Sequence, residues 1–151
     1  MIMINSDEIE KYIHHNIPIS EAMGIKIEKL DETAALVSAP LANNINHKLT
    51  VFGGSLHVVA TLSCWSLLHS LLLQLPEKFE IVITHSDVDY LIPVTTDFQA
   101  LCQKPSEEEW NRFLTTLRNK GRARLHLSST IHQDDVLAVS FKGTFAAIKR
   151  N

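Results

Sequence analysis

Cysteine is scarce, basic charge is not in excess, and no long apolar run is free of polar residues; each shortage removes a class of protein. The two cysteines in 151 residues, Cys64 and Cys102, show neither CxxC spacing nor the density of a secreted disulfide scaffold. Cys64 lies in an apolar run and Cys102 in an expected strand, so both are expected to be reduced and buried, as in a cytosolic protein. Lys and Arg number 14 against 17 Asp and Glu, and the formal charge of -3 argues against a general nucleic-acid binder. Any basic site must be local. The N-terminus, MIMINSDEIEKYIHH, carries acidic residues where an export signal needs basic ones, and its apolar run is too short, so a cytoplasmic location is expected. Gly54 to Leu75 is long enough to suggest a membrane span, yet it holds His57, Thr61, Ser63, Cys64, Ser66, His69 and Ser70. A buried helix, wrapped by protein on most sides, explains it better. There is no internal repeat, low-complexity tract or linker, and the length suits one domain, residues 1–151.

What is present reads as an ordered series of elements. Residues 6–16 form a helix, a lid or packing element, with Asp7 and Glu8 in the first turn, Ile9, Tyr12 and Ile13 on one face and Pro18 beyond its end. Gly24–Asp31 and Thr33–Ala39 alternate as two strands about a turn at Asp31-Glu32, and Pro40 ends the second. Pro76 closes the long helix; Glu80–Ile92 and Asp97–Gln103 follow as strands. Ser106 and Glu109 form a capping box ahead of Trp110, Phe113, Leu114 and Leu117 at helical spacing, and Gly121 stops that helix. From Gly121 the chain alternates, with Ala123, Leu125, Leu127 and Ile131 on one face and Arg122, Arg124, His126 and His132 on the other. Asp134-Asp135 turns it into a last strand, Val136–Lys149.

A helix apolar on most sides must be covered on most sides, so this order predicts an α+β protein in which an antiparallel β-sheet wraps a long central α-helix, the hotdog fold. The long strand Glu80–Ile92 would pair with its copy, making a homodimer or a tetramer of such dimers.

Asn46, Phe52, Gly53 and Gly54 resemble the Asn-x-x-Gly-x-x-His-Gly-Gly signature of hotdog acyl-thioesterases, in which the thioester sits at the helix N-terminus. Leu49 stands at the family's first Gly and Phe52 at its His. Those enzymes carry Asp or Glu seven residues after the second Gly; here that residue is Thr61, so their general-base carboxylate is missing. The stretches MGIKIE, APLANNIN, TVFGGSL, DVDYLIPVTTDFQA and GRARL together resemble stand-alone hotdog proteins related to the C-terminal domain of a two-domain acetyltransferase-like protein. That resemblance spans Ile19 to the C-terminus and implies malonyl-acyl-carrier-protein decarboxylase activity.

The chemistry agrees with the missing base. Thioester hydrolysis needs a deprotonated water, for which a positioned carboxylate or His is the usual means. Decarboxylation needs only stabilisation of an enolate oxygen, by free N–H groups near Gly53, Gly54 and Ser55 and the positive end of the helix dipole. Gly54 and Asn46 are the expected catalytic residues, Asn46 as an amide donor or as a holder of the malonyl carboxylate. Asn44, close enough to share that role, and Val51, Phe52, Gly53, Ser55, His57 and Thr61 complete the expected substrate site. Plainer readings stand beside these: Asn46 as a turn or cap residue, Ser55 as a structural helix-start residue, and His57 as a buried hydrogen-bonded side chain. Arg112, Arg118, Lys120, Arg122 and Arg124 make a local positive region, either a solvated face or a docking patch for acyl carrier protein or coenzyme A phosphates. His85, Asp87 and Asp89 alternate on one strand face, which reads better as a polar face than as a metal site; no metal or cofactor, and no nucleic-acid or membrane partner, is expected. Three functional classes remain: malonyl-thioester decarboxylase, acyl-thioesterase using a His or a substrate-held water, and a non-catalytic acyl-binding or dimerisation module.

Overall fold

A computed structural model describes residues 5–151; the apolar run 1–4 lies outside them. In chain order the elements are α1 (Ser6–Asn16), α2 (Ile19–Ala22), β1 (Lys26–Leu30), β2 (Ala34–Ala39), α3 (Gly53–Leu72), β3 (Phe79–Tyr90), β4 (Phe98–Gln103), α4 (Glu107–Lys120), β5 (Arg122–Gln133) and β6 (Val136–Lys149). The strands form one antiparallel sheet in the order β1-β2-β4-β5-β6-β3, wrapped around α3. This is the expected α+β hotdog arrangement.

Local chemistry sets most boundaries. Asn5 caps α1 by accepting from the N–H groups of Asp7 and Glu8, and Ser106 caps α4 by accepting from that of Glu109. The turn before β2 is closed by Asp31, whose Oδ1 accepts from the Thr33 hydroxyl and from the N–H groups of Thr33 and Ala34. Those bonds, led by the Thr33 hydroxyl, hold the Asp31 carboxyl down to about 2. A lowered carboxyl favours the fold above its unfolded value, and that small contribution disappears as pH falls through about 2. The turn between β5 and β6 places Asp134 and Asp135 both at positive φ, the geometry that matches strand twist in a tight hairpin.

The strand ends shift by up to two residues from the expected ranges, and other departures have identifiable causes. The short helix α2 is absent from it, because four residues cannot display a helical repeat. The central helix starts at Gly53 and stops at Leu72, since the chain must leave the helical region before Pro76. β3 ends at Tyr90, where the N–H groups of Leu91 and Ile92 converge on one carbonyl, that of Ala138.

Thirteen of the twenty α3 residues are buried, including Val59, Leu67 and Leu68, so a helix apolar enough to cross a membrane serves here as the core of the sheet. Ser63 and Ser129 share a 2.6 Å hydrogen bond that ties α3 to β5 inside this core. Cys64 and Cys102 are buried and free, and their thiols meet between α3 and β4; burial, then the Cys102 thiol, pushes the Cys64 thiol up. The α3 residues that escape full burial are Gly53, Gly54, His57, Val58, Thr61, Trp65 and His69, a single strip at helical spacing. That strip faces β3, the last strand of the sheet. Trp65, His69 and Tyr12 of α1 stack along it, and burial holds the His69 imidazole below its ordinary range.

Gly143 on β6 sits where the rings of Phe141 and Phe145 close over its Cα; an added Cβ would lie 2.9 Å from both. Both rings are fully buried, so they cannot swing into solvent. Gly143→Ala should therefore destabilise the protein by about 1–3 kcal/mol, read as a lower midpoint in urea unfolding.

Candidate active site

The site is built where a rigid loop delivers the chain to α3. Asn44 is buried, and its Nδ2 donates to the carbonyls of Met23 and Pro40, both at 2.8 Å. Its backbone carbonyl accepts from Phe52 N–H at 2.7 Å, while Val51 N–H donates to Val94 O and Ile45 bridges Val51. These contacts aim the helix start and make Asn44 a brace for it.

Asn46 folds the intervening turn upon itself. Its Oδ1 accepts from the N–H groups of Lys48 and Thr50, and its Nδ2 donates to Thr50 Oγ1 at 2.9 Å and, at the long distance of 3.5 Å, to Val51 O. One amide hydrogen is thus firmly engaged and the other only weakly. Leu49, which stands where the thioesterase signature has glycine, adopts φ 63°, the left-handed region that glycine enters freely. Holding a leucine there costs about 1–2 kcal/mol.

At the helix start, Ser55 N–H donates to Phe52 O at 2.9 Å, so it is not among the free donors expected from the sequence. The N–H groups of Gly53 and Gly54 have no partner among the described residues, and no side chain caps the helix. Phe52, exposed, lays its ring over Gly54, where an added Cβ would come within 3.1 Å of three ring atoms. The Tyr90 ring reaches the same turn, 3.7 Å from the Cβ position of Gly53. Two aromatic rings therefore lie beside the two glycines whose N–H groups are free.

One turn further along, His57 Nε2 lies 3.0 Å from Ser86 Oγ of β3, and its ring packs edge-on against Phe141. Thr61 donates its hydroxyl to His57 O at 2.8 Å, so the side chain at the thioesterases' carboxylate position is turned back onto its own helix. His57, Thr61 and Ser86 line a cavity of about 490 Å³ with Val58, Leu62 and Ile83. Ser86 and Tyr90 were not readable as site residues. The register shift between Ile83 and His85 reverses the alternation of β3, so Ser86 and Tyr90 turn toward α3 while His85, Asp87 and Asp89 turn outward.

Outward, His85 and Asp87 form an exposed 3.1 Å pair, and the described residues assemble no group of three metal-ligating side chains. Arg112, Arg118, Lys120, Arg122 and Arg124 are all exposed, with Arg112 paired to Glu108. Arg122 aligns across β6 with Glu80 of β3, whereas Tyr90 aligns with Ile131, nine residues further along β5. At strand rise that is about 30 Å, so the basic patch and the helix N-terminus occupy opposite ends of one subunit.

Fold and geometry together define a hotdog protein whose candidate site is the N-terminal turn of its central helix and the cavity beside it. The chain belongs to the family described as "Putative thioesterase (yiiD_Cterm)", whose model matches residues 6–149. It is similar to a protein of unknown function from Chlorobaculum tepidum, at 32% identity and a TM-score of 0.92 over 96% of this chain and 94% of that one. A protein from Shewanella oneidensis described as a putative thioesterase shares 27% identity with a TM-score of 0.85, covering 95% of this chain and 96% of its own. A Pseudomonas aeruginosa protein described as a probable thioesterase shares the fold, with a TM-score of 0.80 at 16% identity and 98% and 99% coverage.

Gly54→Ala should force the Phe52 ring away and set a methyl group beside the free N–H groups. Because that ring can move into solvent and alanine suits a helix, the melting temperature should stay within about 3 °C. Turnover of a thioester substrate should fall at least about tenfold, comparable to weakening one oxyanion donor.

Proposed function

We propose that this chain decarboxylates a malonyl thioester carried on acyl carrier protein, releasing CO2 and leaving an acetyl thioester that primes fatty acid synthesis. The observation that carries this reading is the pairing of two unpartnered N–H groups, at Gly53 and Gly54, with a Thr61 hydroxyl already committed to His57 O where a thioesterase would hold its base. The thioester oxygen accepts from the two glycines. The bond from the methylene carbon to the carboxylate breaks, its electron pair enters the thioester carbonyl, and the enolate oxygen grows at the positive end of α3. One such donor is typically worth roughly 3 kcal/mol, a hundredfold or more in rate. Val51 and Phe52 leave the carboxylate poorly solvated, and Thr61 adds no charge to repel it, so both favour loss of CO2. Asn46 reaches the substrate with the amide hydrogen that only weakly engages Val51 O. The step draws on no cofactor.

The active form is a homodimer paired through β3. This strand ends the sheet, and with Val82 and Ile83 exposed on it, the open edge and the uncovered α3 strip call for one common cover. Antiparallel pairing of β3 with its copy sets the Arg122 end of one subunit beside the Gly53 end of the other. The basic patch then serves the partner's site as the docking face for the acidic carrier.

A hydrolase is the second reading, favoured by the family description and by His57, which lies in the same cavity as Thr61 and is able to activate water. The products separate the two: CO2 with acetyl thioester, or free acid with free thiol.

Asn46→Asp keeps the oxygen that accepts from Lys48 and Thr50 but loses both amide hydrogens, so it separates loop folding from catalysis. With labelled malonyl-carrier protein, CO2 release by this variant should drop about a hundredfold or more while its circular dichroism stays unchanged. Full activity in a folded variant removes the role of Asn46. Arg122→Glu should raise the apparent KM for the carrier-linked substrate about tenfold with kcat little changed, as expected for an exposed docking charge; an unchanged KM excludes docking at that patch.

A further inference from the structure

Decarboxylation leaves a chemical debt at carbon: the enolate must gain one proton on the methylene carbon before it becomes an acetyl group. The groups placed around the thioester oxygen cannot supply it. The amides of Gly53 and Gly54 donate hydrogen bonds to oxygen without releasing protons, and the Thr61 hydroxyl is directed to His57 O. His85 borders the cavity but directs Nε2 to Asp87 on the outer face of the sheet.

We propose, resting on the decarboxylase reading, that the His57–Ser86 couple is the proton donor to carbon. Four features of its placement support this. His57 follows Gly53 and Gly54 by four and three residues, so it shares their face of α3, and helical side chains lean toward the N-terminus. Its Nε2 is already 3.0 Å from Ser86 Oγ, and Phe141 fixes the ring edge-on. The reversal of alternation in β3 turns Ser86 inward, four residues before the Tyr90 that touches the Gly53 turn. Finally, both residues line the same cavity, much of whose wall is apolar through Ile17, Ile19, Val58, Leu62 and Ile83.

As the enolate oxygen re-forms the carbonyl, the methylene carbon takes the proton of Ser86 Oγ. Ser86 takes the Nε2 proton of the imidazolium form of His57, and water restores His57. One proton is consumed per CO2 released. The geometry thereby gives the couple a role that hydrolysis does not require, since here it donates to carbon and does not deprotonate water.

The test uses the full chain with malonyl-acyl-carrier protein, comparing the unmodified protein with His57→Gln and Ser86→Ala. Glutamine keeps a donor for Ser86, so it guards against mere loss of packing. Each variant should fold and bind substrate with KM within about threefold, while kcat falls about a hundredfold or more, the range for a lost general acid. A second readout follows the reverse proton transfer: incubated with acetyl-carrier protein in D2O, the unmodified protein should exchange deuterium into the acetyl methyl group and both variants should not. Decarboxylation within threefold of the unmodified rate in either folded variant overturns the proposal, as does a lack of exchange in the unmodified protein. If the unmodified protein makes no acetyl thioester at all, it is the decarboxylase reading that fails.

Discussion

Burial of α3 is the constraint on which the rest of the molecule depends. Twenty mostly apolar residues are hidden only if a sheet curls around them, and the strands achieve this on every side but one. Large buried side chains such as Leu67 and Leu68 are each worth about 1.5–3 kcal/mol on burial, which makes this packing the dominant local gain. The remaining strip, from Gly53 and Gly54 through His57 and Thr61 to Trp65 and His69, runs along the seam with β3. The unpartnered helix N-terminus, His57 and Thr61 all lie on that strip, and Ser86 and Tyr90 face it. The fold therefore sets the site by leaving one line of its core helix uncovered.

The same constraint explains the division of labour among polar residues. A helix whose body is buried must expose its first N–H groups somewhere, and the turn from Pro40 to Phe52 decides where. Asn44 braces that turn, Asn46 folds it, and the left-handed Leu49 lets it reverse. The Phe52 and Tyr90 rings then lie beside the two glycines. On the decarboxylase reading proposed above, such an end would hold the developing enolate oxygen through backbone N–H groups alone.

Much of this was legible in the sequence because the signals were local or periodic. The strict alternation of β5, the Ser106 cap and the run of α3 each identify their element from a few neighbouring residues, and the spacing from Asn46 to Gly54 located the helix start. What escaped depends on relations across the chain. The inward turn of Ser86 follows from a one-residue register shift in β3, and alternation read along the strand cannot show where such a shift falls. The meeting of Cys64 with Cys102 joins a helix to a strand nearly forty residues away. Asn44 looked like a companion to Asn46 because the two are neighbours in sequence, yet its amide faces Met23 and Pro40. The basic patch, expected as a solvated face or as a docking face reached from either subunit, stands at the end of the subunit opposite the helix N-terminus, a separation that follows from strand register and not from sequence distance.

The most direct measurement of the central claim is the backbone amide NMR spectrum of the labelled protein during titration with a malonyl-thioester analogue in which a sulfonate replaces the carboxylate, so that the carbonyl is kept and no CO2 can be lost. The account predicts that the Gly53 and Gly54 amide protons move downfield together and saturably, with Phe52 and Tyr90 ring shifts alongside. Saturable binding that leaves those two amides unmoved while other residues respond would contradict it.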